Sequence, residues 1–312
     1  MSLSRKQAFV LLGVAGLLAY LSVRYRQNAR FYYRLFQVQR EASRFYATCA
    51  TVTRNVAPHP AVRTRLDVYR PDGASDCPVF VYVYGGSWHS GNKALYAPMA
   101  QRLMPEGVVV VLPDYTTYPA ARFPQPVLEI AAAIAWTLDN IHNFGGDPRR
   151  VIVGAQSAGA QVAGVALLDP RWLGAHGHSA AELRGFLGIS GVYDVAAQVE
   201  YARRRGRWGR YIERVMDGRA NLTVASPISF VTSAAPPALL IHGDADTTVP
   251  INSSVDFHKR LRSAGVPSEF VCYPGGGHSG ILFDALTENP GRLVLDMLRF
   301  VRARTALPAQ IT

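Results

Sequence analysis

Short apolar runs alternate with longer amphipathic stretches from about residue 60 to the end of the chain. The apolar runs predict seven strands, at Leu66–Arg70, Val79–Tyr84, Val108–Leu112, Val151–Gly154, Gly185–Ile189, Ala238–His242 and Glu269–Tyr273. Helical periodicity predicts helices at residues 94–104, 125–143, 158–168, 253–264 and 290–304. Because strands and helices alternate, we expect an α/β fold with a mostly parallel, doubly wound sheet covered on both faces.

Residues 193–230 interrupt this alternation with an arginine-rich insertion. We expect it to form a helical cap over the sheet edge where α/β folds place their sites. The chain has 312 residues and 49% hydrophobic content, which is enough for one large core. The predicted organisation is therefore a single domain over residues 60–312, with residues 193–230 as its cap.

The amino-terminal segment predicts a membrane anchor within residues 1–24. Ala8–Val23 is a run of sixteen uncharged residues between Arg5-Lys6 and Arg24. As a helix it spans about 24 Å, and flanking basic and tyrosine side chains can cover the shortfall to a thin bilayer of about 27 Å. A cleaved signal peptide is the first alternative, but the run lacks a small-residue cleavage site. A buried helix is the second.

Residues 25–59 predict an amphipathic linker, because arginines alternate there with apolar side chains such as Phe31, Leu35 and Phe36. Such a helix lies on a membrane surface or packs on the predicted domain of residues 60–312, and the sequence leaves both open.

More basic residues follow the predicted anchor than precede it, which favours a cytosolic carboxy-terminal side. We therefore expect an endoplasmic reticulum or Golgi membrane. The sequons at Asn221 and Asn252 suit the opposite, lumenal orientation.

The net charge of +11 is concentrated in two clusters, within residues 1–44 and 203–219, and the rest of the chain is near neutral. Neither cluster has a recognition-helix or base-stacking pattern, so nucleic acid is not an expected partner. Three cysteines show no metal-ligand spacing and suit a reducing compartment. His176 and His178 lack further ligands, so no metal and no cofactor are expected.

One serine lies where a predicted strand meets a predicted helix. The hexapeptide GAQSAG at residues 154–159 follows the apolar run 151–153 and places Ser157 in the turn. This context is typical of a nucleophile elbow, in which a sharp turn lifts a serine hydroxyl above the sheet. The strict G-x-S-x-G pattern has glycine at the position of Ala155. An ordinary structural turn is the alternative.

A serine hydroxyl needs a base, and the base needs an orienting carboxylate, in the chain order Ser, Asp, His. His278 follows a predicted strand in a glycine-rich loop and is the candidate base. Asp246 is the preferred acid because it lies deeper in its loop, before Val-Pro, and Asp244 is the alternative. His242, at the end of the preceding strand, is expected to have a structural role.

An oxyanion that forms at Ser157 needs backbone N–H donors. Ala158 follows the serine and supplies one amide. The others are expected in the glycine-containing loop after the second predicted strand, at Gly85 and Gly86, where a plain tight turn is the alternative.

Five motifs together resemble a known family: YGGSW at residues 84–88, LPDY at 112–115, FGGDP at 144–148, QSAGA at 156–160 and HGDADTTVP at 242–250. They are similar to those of the α/β-hydrolase esterases, most closely the isoprenylcysteine methylesterases, with kynurenine formamidase-like hydrolases as neighbours. The resemblance covers about residues 60–305 and is more specific for fold and triad than for substrate. It implies Ser157 as nucleophile, Asp246 as acid, His278 as base, and Gly85, Gly86 and Ala158 as oxyanion donors.

The sequence therefore predicts an anchored serine esterase of the α/β-hydrolase fold that acts on prenylcysteine methyl esters. A formamidase-like enzyme or a broad carboxylesterase is the enzymatic alternative, and a non-catalytic binding protein of this fold is the third. The expected partners are a small-molecule or lipidated ester and a membrane. Four aromatic residues are candidates for the substrate pocket: Trp88, Tyr115, Tyr118 and Phe283.

Overall fold

The computed structural model describes residues 29–206, 208–287 and 291–306. Eight described strands form one sheet: β1 (Val52–Val56), β2 (Leu66–Tyr69), β3 (Cys77–Val83), β4 (Val109–Pro113), β5 (Gly146–Gln156), β6 (Gly185–Ile189), β7 (Ala238–Gly243) and β8 (Ser268–Tyr273). Their order is β1-β2-β4-β3-β5-β6-β7-β8. In this order, β4, β3, β5, β6, β7 and β8 pair parallel with one another. At one edge, β2 pairs antiparallel with β4, and β1 pairs antiparallel with β2. The predicted parallel α/β sheet is confirmed.

Helices cover the sheet. They are α1 (residues 29–48), α2 (Ala97–Leu103), α3 (Gln125–Asn140), α4 (Ala158–Leu168), α5 (Pro170–Gly174), α6 (Val195–Arg204), α7 (Gly209–Val215), α8 (Asn252–Ser263), α9 (Gly280–Thr287) and α10 (Arg292–Thr305). Short 3₁₀ turns lie at Met104–Glu106, Ile141–Phe144, Ala180–Glu182, Arg219–Asn221 and Pro227–Phe230. Helices α6 and α7 lie in the segment for which the sequence predicts a cap.

The central strands are apolar on both faces. Residues 79–83 of β3, 109–111 of β4 and 151–153 of β5 are fully buried, as expected for parallel strands covered by helices on each side. The residues of α4 from Ala158 to Leu167 are also all buried, so this helix runs through the core directly behind Ser157. The turn that carries Ser157 is therefore held by packing on every side.

Helix α1 packs on the sheet domain through one face and leaves the other exposed. Val38 and Ala42 are buried, and the ring of Phe45 stacks on Tyr69 at a centroid distance of 5.9 Å. Tyr32 and Phe36 are exposed. The segment for which the sequence predicts a linker thus contains α1 and the edge strand β1.

The predicted membrane anchor, Ala8–Val23, lies outside the described residues. Within residues 29–206, 208–287 and 291–306, the helices are too short or too polar to cross a bilayer.

Candidate active site

Ser157 lies in a strained turn between β5 and α4. Its backbone has φ 53° and ψ −121°, a conformation that residues other than glycine rarely adopt. The Ser157 N–H donates to the carbonyl of Ile189 at 2.9 Å, which holds the turn against β6. A Cβ added to Gly159 would lie 2.2 Å from the carbonyl oxygen of Tyr84, so only glycine fits there. Ala155 is fully buried inside β5, where its methyl group is accommodated.

His278 connects this serine to a carboxylate. It lies in the loop after β8, and its Nε2 is 2.8 Å from Ser157 Oγ. Its Nδ1 is 2.6 Å from Oδ2 of Asp246, in the loop after β7. The parallel register of β5 to β8 brings the three loops to the same sheet edge. The structure therefore joins three residues far apart in sequence in one hydrogen-bonded chain.

Asp246 is held by donors on both carboxylate oxygens. Its Oδ1 accepts the backbone N–H groups of Thr248 and Val249, at 2.8 and 3.0 Å. Burial alone raises the pKa of this carboxyl, but hydrogen bonds from His242 and His278 and from the Val249 amide lower it more. The net result is a pKa well below the ordinary range, so Asp246 is ionised at neutral pH.

His242 also contacts the carboxylate of Asp246. It is fully buried, and its Nε2 lies 3.2 Å from Asp246 Oδ2 and 3.1 Å from the Val249 carbonyl oxygen. Both neighbours are acceptors, so Nε2 carries the proton and Nδ1 accepts from Ser254 Oγ at 2.7 Å. The sequence predicts a structural role for His242. It gives no sign that the ring fixes the carboxylate that orients His278.

Asp244, the alternative acid, faces away from the imidazole. It is exposed, and its Oδ1 accepts the N–H of Gly275 at 2.7 Å. This bond ties the β7 loop to the loop that carries His278. The structure thus places Asp246 against His278 and gives Asp244 a contact with the loop backbone.

The loop after β3 approaches Ser157 with its backbone. A Cβ on Gly85 would lie 2.9 Å from the backbone carbonyl oxygen of Gln156. Gly86 has φ 139°, and a Cβ there would lie 2.0 Å from the carbonyl oxygen of Ser90, so both positions require glycine. The next residue, Ser87, also has a positive φ, of 51°. In the hydrogen-bond network of the described residues, neither Gly86 nor Ala158 uses its N–H as a donor. These amides belong to the two segments that meet beside Ser157.

Two side chains from outside the loop, those of Asp114 and Tyr211, fix its position. The Tyr84 hydroxyl and the backbone N–H of Lys93 both donate to Asp114 Oδ1, at 3.0 and 2.7 Å. These bonds connect both ends of the loop to the residue that follows β4. The Tyr211 hydroxyl of α7 donates to the Ser87 carbonyl oxygen at 2.6 Å. Burial raises the pKa of Tyr211 to about 12, so this hydroxyl keeps its proton.

A cavity of about 130 Å³ opens beside Ser157 under the cap helices. Trp88 lines it, and the indole N–H donates to Gln161 Oε1 at 2.8 Å. The other walls come mainly from α6, α7 and the loop after β7, and include Tyr201, Arg205, Trp208, Ile212 and Thr248. The arginine-rich composition predicted a cap but could not indicate which of its side chains face the cavity.

Three of the four aromatic pocket candidates lie elsewhere. Tyr115 is buried behind the loop, where its ring stacks on Tyr84 and its hydroxyl donates to the Tyr84 carbonyl oxygen. Tyr118 packs edge-on against Tyr211 outside the cavity wall. Phe283 is buried in α9 against Phe31 of α1. Aromatic residues near the motifs in sequence are thus used mainly to build the core and support the loop.

Two further features lie apart from Ser157. A larger open cleft of about 720 Å³ is lined by residues 70–76 and 142–149 and contains none of the predicted site residues. His178 contacts Asp139 and Glu182 through its two ring nitrogens. Among the described residues, no three His, Cys, Asp or Glu side chains are arranged so that they could hold a metal ion. All three cysteines are free thiols.

Comparison with known proteins gives related sequences along most of the chain. An isoprenylcysteine alpha-carbonyl methylesterase from Arabidopsis thaliana is 30% identical over 268 residues, covering 81% of this chain and 62% of the relative. Esterase LipC of Mycobacterium tuberculosis is 33% identical over 240 residues, covering 72% of this chain and 59% of the relative. The chain thus spans less than two thirds of the length of either relative.

Solved structures share the fold. A hyperthermophilic esterase from Pyrobaculum calidifontis superposes with a TM-score of 0.71 at 23% identity, covering 86% of this chain and 92% of the other. An esterase from Thermogutta terrifontis gives 0.66 at 20% identity, covering 85% and 96%. The family model BD-FAE matches residues 66–261, which include β2 to β7 and the turn that carries Ser157. The chain has the α/β-hydrolase fold and belongs to the BD-FAE family.

Proposed function

We propose that the protein is a serine carboxylic-ester hydrolase in which Ser157, His278 and Asp246 form the catalytic triad. The single observation that carries this proposal is the continuous hydrogen-bond chain from Ser157 Oγ through the imidazole to Asp246. A binding protein of this fold would have no need of that arrangement. The relatives and structural neighbours named as esterases support the same reaction class.

The geometry supports the following sequence of steps. His278 Nε2 accepts the proton of Ser157 as Oγ attacks the ester carbonyl carbon, and the resulting imidazolium then protonates the leaving alcohol. Water next gives a proton to Nε2 as its oxygen attacks the acyl-enzyme, and the imidazolium then returns a proton to Ser157 Oγ as the acid leaves. Asp246 keeps the proton of neutral His278 on Nδ1 and stabilises the imidazolium, a role that its depressed pKa suits. The first proton transfer uses the contact that joins Ser157 Oγ to His278 Nε2.

The negative oxygen of the tetrahedral intermediate would be bound by backbone amides of Gly85, Gly86 and Ala158. Two observations support this assignment of the donors: the loop after β3 closely approaches the turn that carries Ser157, and Ala158 lies in the first turn of α4. A helix amino terminus favours negative charge, which adds to the hydrogen bonds. Tyr211 and Asp114 would hold this loop in place during the reaction.

Replacing Ser87 by glycine is expected to leave kcat within about threefold of the wild-type value, because the proposed donors are amides. Glycine suits the positive φ of Ser87, so the loop keeps its shape. Steady-state hydrolysis of p-nitrophenyl butyrate measures the effect. A loss of 100-fold or more, with an unchanged melting temperature, would show that the Ser87 hydroxyl takes part in catalysis.

For the substrate, we propose the methyl ester of a prenylated cysteine. The support comes from the shared motifs and from relatives named isoprenylcysteine alpha-carbonyl methylesterase. A kynurenine formamidase-like or broad carboxylesterase activity is the alternative, since the triad cleaves esters and activated amides alike. Comparing kcat/KM for S-farnesylcysteine methyl ester, N-formylkynurenine and p-nitrophenyl butyrate distinguishes these activities.

We also propose that Ala8–Val23 anchors the protein in an endoplasmic reticulum or Golgi membrane with the catalytic domain in the cytosol. Its support is the uncharged run with basic flanks. The full chain is expected to resist carbonate extraction, and a chain lacking residues 1–24 to be released. In sealed microsomes, protease should digest the catalytic domain without detergent. Protection until detergent is added would instead place that domain in the lumen.

A further inference from the structure

The cavity beside Ser157 is small compared with a prenyl chain. A protein cavity of about 150 Å³ holds a group the size of benzene. A cavity of about 130 Å³ is therefore too small for a fifteen-carbon chain. In S-farnesylcysteine methyl ester, three atoms connect the ester carbonyl to the isoprenoid: Cα, Cβ and sulfur. With the carbonyl at Ser157, the cysteine portion lies in the cavity and the fifteen-carbon chain has to extend beyond it.

The mouth carries one exposed aromatic surface. Of the seven large apolar side chains that are exposed among the described residues, only Trp208 lines this cavity. Its side chain is 54% exposed, and an exposed indole next to a ligand cavity is typical of a binding surface. The neighbouring wall is also aromatic, because Tyr201 lines the same cavity with the Arg205 guanidinium over its ring at 5.4 Å.

Neighbouring residues hold the indole of Trp208 in position. Its ring packs edge-on against Tyr211 at 6.0 Å and lies 6.5 Å from the ring of His89. Tyr211 is itself fixed by its hydrogen bond to Ser87. The indole thus packs against two neighbouring rings while about half of its side chain stays exposed, and a chain placed on it would bury apolar surface.

We propose that Trp208 forms an outer subsite that binds the long apolar chain of the ester substrate where it leaves the catalytic cavity. This inference rests on the proposed esterase function and defines its substrate class as esters with a short inner segment and an extended apolar outer segment. Trp208 contributes to specificity and takes no part in the chemistry at the carbonyl.

The test uses two substrates with the same reacting ester, S-farnesylcysteine and S-methylcysteine methyl esters, below the micelle concentration of the former. The wild-type full chain is expected to have a kcat/KM at least 10-fold higher for the farnesyl ester. Tenfold corresponds to about 1.4 kcal/mol, less than the transfer energy of two buried methylenes. Trp208→Ala should reduce the ratio to about one, because kcat/KM falls far more for the farnesyl ester than for the S-methyl ester, and Trp208→Phe should be intermediate.

Leu295→Ala is the matched control, because Leu295 of α10 is 53% exposed and does not line the cavity. It should keep the wild-type ratio. A wild-type ratio near one, or an equal loss for both substrates in Trp208→Ala, would overturn the outer subsite. If the proposed esterase function itself is wrong, the wild-type protein will also fail to hydrolyse p-nitrophenyl butyrate, which distinguishes this outcome from failure of the outer subsite alone. If only the cysteine esters are inert, the same variants are compared on p-nitrophenyl acetate and decanoate, and an unchanged chain-length preference in Trp208→Ala overturns the subsite.

Discussion

Replacement of Ser157 by alanine is expected to lower kcat for p-nitrophenyl butyrate by about 10⁴- to 10⁶-fold, with the fold intact. The variant loses the oxygen that contacts His278 Nε2, so no acyl-enzyme can form. Alanine should also fit the turn, although its φ of 53° remains unfavourable for any residue with a Cβ. Initial rates and the thermal melting temperature, measured on the same preparation, separate loss of chemistry from loss of fold.

Two controls test whether Ser157 and His278 act as one unit. His278→Ala should cost nearly as much as Ser157→Ala, and the double variant should be little worse than either single variant, because triad losses are not additive. A fluorophosphonate probe should label the wild type and leave Ser157→Ala unlabelled. Wild-type hydrolysis that persists in Ser157→Ala, or labelling of another serine, would contradict the assignment of the nucleophile.

The sequence predicted the elements whose patterns are local. The continuous apolar runs of β3, β4 and β5 reflect burial on both faces, and the alanine-rich stretch after Ser157 is α4 from its first predicted residue to its last. Edge strand β1 was not predicted. Its sequence, Val-Thr-Arg-Asn-Val, is only partly buried and pairs irregularly with β2, so neither alternation nor a long apolar run marks it.

Candidate site residues were predictable where the chemistry requires a particular side chain in a particular loop, as for Ser157 and His278. The cavity walls were not, because they depend on how α6 and α7 pack above the sheet. Trp208 follows a run of arginines that resembles a solvated helix, and only the packing of its ring on Tyr211 places it at the cavity. The contact of His242 with Asp246 likewise depends on a loop that returns to its own strand.

Asp246→Asn is expected to lower kcat by about 10⁴-fold, whereas Asp244→Asn should stay within about threefold of wild type. In Asp246→Asn, the amide oxygen can still accept from Thr248 and Val249, which places the NH₂ group opposite His278 Nδ1. An imidazole that accepts at Nδ1 carries its proton on Nε2, and that nitrogen can no longer take the proton of Ser157. The same NH₂ group also faces the N–H of His242, so the variant additionally loses a buried hydrogen bond.

Asp244→Asn is a matched control, because it makes the same chemical change two residues away. Its amide oxygen can still accept the Gly275 N–H, so the loop that carries His278 keeps its anchor. Both variants are assayed for kcat and KM on p-nitrophenyl butyrate, with melting temperature as the check on folding. Asp246→Asn should retain KM within a few-fold, since the substituted group does not touch the substrate. If Asp244→Asn were the more damaging of the two, the carboxylate that orients His278 during the reaction would be Asp244, and the β7 loop would have to rearrange to bring it there.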